Sequence, residues 1–498
     1  MQTSGYQTHL VSSRANLVNG SVFGVLRSTI AFLTAVVLVF TLTACSQKGD
    51  FAYEDAVPTN WKVGISIPTS SLAIIDESTV GRWANIGDWI RNELVRHGFS
   101  AENVVIRSSS SRKDQIKDLK KFAEVEKVDE LVVAPINYTK SELKTLNQLN
   151  ADPSSAFLAN MNHISQSAES NSKEFPIDQE SEKSDEHAES IVDILKNAKA
   201  SGIFTVGIGS NDLGGFPFDY FATTISPEDV ANVQAGFIID QLKLPQVDQY
   251  GNLKDIPKDS VTYNVEVLIS DAAYSSTKRY FKQLWERIGP YFKKGYFKSR
   301  SGVLTQDTKS DEASEQEVIE KLGIPDDGDK PAGVMHDVLD KYYKNNEDQL
   351  DVVFGQFDGL SRGAVRACVE NKFDSGSRKW PLIVGAEAER LSISDVVEGK
   401  QAMTIAYDSR SLMQALGQVL ANEALRQPQP VKGQPITTSE ELQKEFDEKT
   451  GTLYLESMKN SDGVTISLIV TRPVTIVQDN LKDFLIDKGY ITDAYAGI

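Results

Sequence analysis

Lys62-Val63-Gly64-Ile65-Ser66-Ile67-Pro68 opens the folded part of the chain and decides how the rest is read. It is a short apolar run that stops at a proline, as a buried strand does. A polar loop follows over residues 69–81. Arg82 and Trp83 then begin a helical pattern that ends at His97-Gly98-Phe99. Strand, long loop and helix form the first unit of an α/β fold. In such folds ligands bind in the crevice beyond the carboxyl ends of the strands. Arg82 and Trp83 emerge from that loop, where a small polar ligand would sit. The spacing suits equally a core aromatic that starts an amphipathic helix.

The same unit recurs outward along the chain. Strands are expected at 103–106, 130–135, 203–208, 219–224, 265–270, 350–355 and 381–385. Helices are expected at 113–125, 191–200, 227–242 and 276–288. The first of these carries Ile116, Leu119, Phe122 and Val125 on one face. Gly202 reads as a helix stop and Pro227 as a first-turn residue. Strands at 402–406 and 464–470 remain near the end. Two stretches interrupt the alternation. Residues 138–186 are rich in Ser, Asn, Glu and Lys and read as a surface insertion. Residues 307–346 carry acidic runs and read as a second one.

The chain has 498 residues and a net charge of −18. Nucleic-acid affinity comes mostly from Lys and Arg neutralising phosphates, so this balance argues against a nucleic-acid partner. Arg14 and Arg27 precede an apolar run at 30–42 that is short for a membrane span. The run ends in Leu42-Thr43-Ala44-Cys45, which resembles a bacterial lipobox. That resemblance implies cleavage before Cys45 and a lipid on its thiol. Residues 1–44 are then a signal peptide and 45–60 a polar tether. An ordinary signal peptide with Cys45 incidental is the alternative. Cys368 lies in a helical pattern and reads as a buried apolar side chain.

Several chemistries have no support. The five histidines lack a partner at metal-ligand spacing, and no HExxH occurs. No phosphate loop, GxGxxG after the first strand, or GxSxG elbow is present. Acidic pairs such as Asp326 with Asp327 sit in polar runs. No catalytic residue, metal or cofactor is assigned, and the chain is read as a non-enzyme.

An ordered series of stretches resembles the type I periplasmic sugar-binding proteins of the multiple-monosaccharide, xylose and ribose group. It comprises the opening strand with Arg82-Trp83, Phe357-Asp358-Gly359, Val384-Gly385-Ala386-Glu387-Ala388, and Tyr407-Asp408-Ser409-Arg410. Leu468-Ile469-Val470-Thr471-Arg472-Pro473-Val474 and Leu485-Ile486-Asp487-Lys488-Gly489-Tyr490 complete it. The resemblance implies an α/β fold of two Rossmann-like lobes with parallel sheets, joined by a three-segment hinge. One lobe would be 61–223 plus 408–470, the other 224–407 plus 471–498. It implies a lipid-anchored, monomeric receptor on the outer face of the cytoplasmic membrane. Such a receptor captures a carbohydrate and delivers it to an ABC permease. A sensing or ligand-degenerate paralogue that binds other proteins is the alternative.

The resemblance also implies the site. Trp83 would stack on a sugar face, and Arg82, Asp358, Glu387, Tyr407 and Asp408 would supply polar contacts. Asp358 has a second reading, at the hinge face. The chain departs from the family at Gly209-Ser210, Phe357, Ala386, Ile86 and Tyr274-Ser275-Ser276. Ser210 and Ser276 are kept there as candidate contacts. Losing a charge-assisted pair, worth about 1.5–3 kcal/mol per bond, disfavours ordinary aldopyranoses. The chain would bind these weakly or bind something else, a larger, less polar or modified sugar being one option. Two acyl chains anchor a protein firmly, at about 0.8 kcal/mol per buried methylene. Cys45→Ser should therefore move the protein from the membrane to the soluble fraction; retention on washed membranes would refute the anchor.

Overall fold

The computed structural model describes residues 57–58, 60–69, 80–136, 190–209, 215–248, 253–254, 261–271, 275–309, 312–324, 330–344, 349–373, 376, 378–430, 440–446, 451–460 and 462–497. Cys45, the tether up to residue 56, the first insertion and Ser210 lie outside the described residues.

The first group of elements is β1 (Val63–Pro68), α1 (Trp83–Arg96), β2 (Val104–Ser109), α2 (Arg112–Lys120), β3 (Glu130–Val133), α3 (Ile191–Ala200), β4 (Phe204–Gly209) and β5 (Tyr220–Thr223). The second begins with α4 (Pro227–Gln241), β6 (Tyr263–Ser270), α5 (Ser275–Lys293), β7 (Phe297–Lys298), α6 (Glu312–Leu322), β8 (Gly323–Ile324) and α7 (Lys330–Tyr342). It ends with β9 (Val352–Gly355), α8 (Asp358–Glu370), β10 (Leu382–Val384) and α9 (Arg390–Val397). The tail holds β11 (Thr404–Ala406), α10 (Ser409–Ala424), α11 (Glu440–Glu445), β12 (Leu453–Lys459), β13 (Thr465–Thr471), β14 (Val474–Ile476) and α12 (Asp493–Ala496).

These strands make two main sheets. The first has the order β12-β13-β5-β4-β3-β1-β2, parallel except for β12 against β13. The second runs β10-β9-β6-β7, with β8 beside the far end of β6, and is parallel throughout. β11 pairs β14 antiparallel, and Met403 just before it bridges Val384 at the end of β10. The chain leaves the first sheet after Thr223, returns to it after β11, and leaves it again after Thr471. Two of these passages lie side by side: the Thr471 hydroxyl donates to the Thr223 carbonyl at 2.9 Å.

Local chemistry explains the elements. Residues of β1, β3, β5 and β9 are buried throughout, as parallel strands covered on both faces must be. Ser190 and Ser226 cap α3 and α4 in reciprocal capping boxes with Asp193 and Asp229, and Pro227 takes the first position of α4. The α2 pattern is misread at its end. The chain leaves Lys120 in a π-type turn over Lys121–Glu126, so Phe122 is buried while Val125 is 73% exposed. A wider turn rotates the register that 3.6 residues per turn predicts.

The segment read as a second insertion is built into the fold. It supplies α6, β8 and α7. α7 packs on α8, where a Cβ at Gly363 would lie 2.5 Å from Pro331 Cβ, so glycine permits the close approach. Met335, Leu339 and Tyr343 fill the core beneath it together with Cys368. Burial pushes the Cys368 thiol up to about 12, which leaves it inert near neutral pH. β12 and β14, which complete the two sets of tail strands, carry no clear alternation in sequence.

One buried acid stands at the start of β3. Glu130 is fully buried, accepts from the Trp61 indole at 3.0 Å, and has no partner for Oε2. Burial holds its carboxyl well above the usual range, with the nearby Glu423 and Asp129 charges adding to the shift. A raised folded pKa stabilises the fold below the unfolded value of about 4.3 and loses that stabilisation as pH rises. Glu130→Gln should therefore gain stability relative to the parent between pH 4.5 and pH 8 in paired thermal melts. A difference in melting temperature that stays constant with pH would contradict this.

Candidate functional site

The carboxyl ends of β1 and β10 and the chain passage after β11 are where the expected ligand contacts arise. Trp83 starts α1, the first described helix after β1, and is half-buried. It packs against the apolar cluster that contains Ala388 and Tyr407. Arg82 precedes it at the helix cap, with an extended backbone and an exposed side chain.

Glu387 follows β10 in a left-handed conformation, with φ of 91°, and Ala388 follows at 50°. Non-glycine residues rarely take this region. The Glu387 amide donates to the Ile405 carbonyl of β11 at 2.8 Å. Its half-buried carboxylate lies close enough to Tyr407 for its charge to act on the phenol. Burial, and then that charge, keep Tyr407 protonated at any ordinary pH. Tyr407 is itself buried in that apolar cluster, and Glu387 is the half-exposed acceptor near it. Trp83, Glu387 and Tyr407 thus combine an aromatic face with polar groups. Such a combination suits a ligand with both C–H surface and hydroxyls.

The two expected aspartate contacts are both bonded inside the protein. Asp358 is fully buried at the first position of α8. Gln401 Nε2 donates to its Oδ1 at 2.7 Å, and the Thr404 hydroxyl and Glu389 amide donate to Oδ2 at 2.8 and 2.9 Å. Burial still pushes its carboxyl up to about 7 against those donors. Asp408 is 1% exposed and caps α10. Its Oδ1 accepts from the Ser411 amide at 3.0 Å and the Tyr490 hydroxyl at 2.7 Å, and Lys488 pairs with Oδ2. Both carboxylates are engaged inside the fold because each sits where a helix N-terminus meets another segment.

Ser276 lies in the first turn of α5 and is half-buried. Its neighbour Thr277 donates to Gln356 Oε1 at 3.3 Å, and the Ser270 amide reaches the same oxygen at 2.9 Å. Gln356 therefore ties the ends of β9 and β6 to the start of α5. The family departures Ile86, Phe357 and Ala386 are all core side chains. Among the described residues no group of three His, Cys, Asp or Glu is placed to hold a metal ion.

Sequence reading overlooked the residues that shape the ends of the strands. Gln115 on α2 is fully buried, donates to the Ala134 carbonyl at 2.9 Å and accepts from the Ile136 amide at 2.7 Å. A glutamine next to the apolar stripe of α2 was the available signal. Thr404 and Gln401 gave none, since both types are common in strands and loops. Gly385 is set by Asp358: a Cβ there would meet Asp358 Oδ1 at 2.1 Å and Gln401 Nε2 at 2.7 Å. Gly385→Ala should destabilise the protein by about 1–3 kcal/mol through overpacking. Urea unfolding checks this, and a loss below about 0.5 kcal/mol would refute the crowding.

No protein-family model matches the chain. Among curated proteins it is 23% identical over 304 residues to the "Multiple sugar-binding periplasmic protein SbpA" of Azospirillum brasilense, covering 61% of this chain and 71% of that protein. It is 24% identical over 221 residues to the "Multiple sugar-binding periplasmic receptor ChvE" of Rhizobium radiobacter, covering 44% of this chain and about half, 54%, of that one. Two solved structures share the fold. One is an ABC transporter solute-binding protein from Clostridium phytofermentans with bound β-D-glucose, with a TM-score of 0.53 and 18% identity over 87% of this chain and 99% of that one. The other is a carbohydrate transporter solute-binding protein from Chloroflexus aurantiacus in complex with D-glucose, with a TM-score of 0.53 and 16% identity over 87% of this chain and 98% of that one. The chain has the type I periplasmic binding protein fold and is a sequence relative of the multiple sugar-binding periplasmic proteins.

Proposed function

We propose that this protein is an extracytoplasmic solute-binding protein that captures a sugar between its two main sheets and delivers it to an ABC importer. The observation that carries the reading is the joint placement of Trp83, Tyr407 and Glu387 where strand ends and chain passages meet. The names of the sequence relatives supply the ligand class. The two sheets are the cores of two lobes. The passages after Thr223, after β11 and after Thr471 are the hinge about which a bound sugar closes them. Closure gives a permease a shape that differs between loaded and empty receptor. Lipidation at Cys45 holds the receptor at the outer face of the membrane, as a monomer.

The site favours a sugar with substantial apolar surface. The contacts retained are an indole, a phenol and one carboxylate, with Arg82 at the rim. Asp358 and Asp408 are held by internal donors, so fewer charged groups remain for hydroxyls than the sequence suggests.

Thermal melts against a panel of monosaccharides, their methyl glycosides and oligosaccharides test the reading. A ligand at 100 times its Kd adds about 2.7 kcal/mol of stability. At least one carbohydrate should raise the melting temperature, and Trp83→Ala should weaken that ligand by about 1 kcal/mol or more. No shift with any carbohydrate would favour a protein-binding paralogue. Unchanged affinity in folded Trp83→Ala would remove the indole from the site.

A further inference from the structure

The turn after β10 is fixed by more bonds than a connecting loop needs. Glu387 and Ala388 are both left-handed, a conformation that glycine takes freely and side chains resist. Three consecutive amides are nevertheless each given a separate acceptor. The Glu387 amide reaches the Ile405 carbonyl at 2.8 Å, the Ala388 amide reaches Thr404 Oγ1 at 3.1 Å, and the Glu389 amide reaches Asp358 Oδ2 at 2.9 Å. The Thr404 hydroxyl that accepts from Ala388 also donates to the same Asp358 oxygen at 2.8 Å. Gln401 holds the other oxygen, and the Asp358 amide closes back on the Ala386 carbonyl at 2.9 Å. Asp358, Thr404 and Gln401 are each no more than 1% exposed.

Strained backbone persists only where its surroundings over-determine it, and it concentrates at functional sites. The residue carried by this strained turn is Glu387, whose charge reaches Tyr407. We propose that Asp358 and Thr404 are positioning residues of the ligand site, fixing the turn that presents the Glu387 carboxylate beside Tyr407. This rests on the reading of Glu387 and Tyr407 as ligand contacts. Thr404 is the pivotal member, since its one hydroxyl accepts from the Ala388 amide and donates to the Asp358 carboxylate at once. A carboxylate held in place before the ligand arrives need not be ordered on binding, which strengthens affinity without adding a contact.

Thr404→Val keeps the shape and removes the hydroxyl, whereas Thr404→Ser keeps the hydroxyl. In ligand-free protein, amide hydrogen exchange at Ala388 and Glu389 should speed at least tenfold in Thr404→Val and return to near the parent rate in Thr404→Ser. Amides of β1 and β3 report global folding in the same samples. Calorimetry with D-glucose, methyl β-D-glucoside and cellobiose gives the second readout. Kd for the tightest of these should rise about tenfold in Thr404→Val and recover in Thr404→Ser. In a Glu387→Ala background, Thr404→Val should cost no further affinity. Unchanged exchange at Ala388 and Glu389 would overturn the proposal, as would an equal loss of affinity with and without Glu387. A parent protein that binds none of the sugars would instead count against the functional reading, while the exchange rates still decide whether Thr404 holds the turn.

Discussion

The buried carboxylate of Asp358 fixes how the ends of β9 and β10 in the second sheet meet β11 and the segment leading into it. Taking a carboxylate out of water costs several kcal/mol unless donors replace the lost hydration. Here the donors are Gln401, Thr404 and the Glu389 amide, with the N-terminus of α8 contributing its partial positive charge. Each comes from a different place: the approach to β11, β11 itself and the turn after β10. The group can stay buried only if those segments meet. Their meeting determines where Tyr407 leaves β11 and how Glu387 is turned. Gly385 is part of the same constraint, because any side chain there would occupy the place of the carboxylate oxygen.

The first sheet depends on a different constraint. Its parallel strands are covered on both faces, so every connection must cross over and the loops collect at strand ends. Gln115 satisfies backbone groups beyond the end of β3 from the helix above. The tail is fastened on the other face. Tyr490 and Lys488 hold Asp408 at the start of α10, while the Arg410 guanidinium lies over the Trp89 and Tyr490 rings and donates to the Lys488 and Gly489 carbonyls. The last segment of the chain is thereby joined to α10 and α1, elements that flank the first sheet. A sugar receptor of this architecture would carry its hinge and its ligand contacts in neighbouring residues, since Tyr407 and Asp408 are adjacent.

The strands that line this region were legible because buried parallel strands are short apolar β-branched runs, and β1, β3, β4, β6 and β9 all are. Helices α3 and α4 were legible from their caps. β12 was not, because a sheet-edge strand such as Leu453–Lys459 has one buried end and an exposed one, with no alternation to read. Val125 was misplaced because a π-type turn has no sequence signature comparable to a proline or glycine. In the candidate site, Trp83 is half-buried at the start of α1, Glu387 half-buried after β10 and Tyr407 buried after β11. Asp358 and Asp408 do not remain open to a ligand, because whether a carboxylate faces solvent or a helix N-terminus is set by segments distant in sequence, here Gln401, Thr404, Lys488 and Tyr490. Ser210 lies outside the described residues.

A crystal structure of the protein grown with the sugar that most raises its melting temperature tests the central claim most directly. The account predicts the sugar between the two main sheets, one face of its ring against the Trp83 indole and a hydroxyl within hydrogen-bond distance of Glu387. A sugar bound elsewhere on the molecule, or a space between the sheets filled by the protein's own side chains, would contradict it.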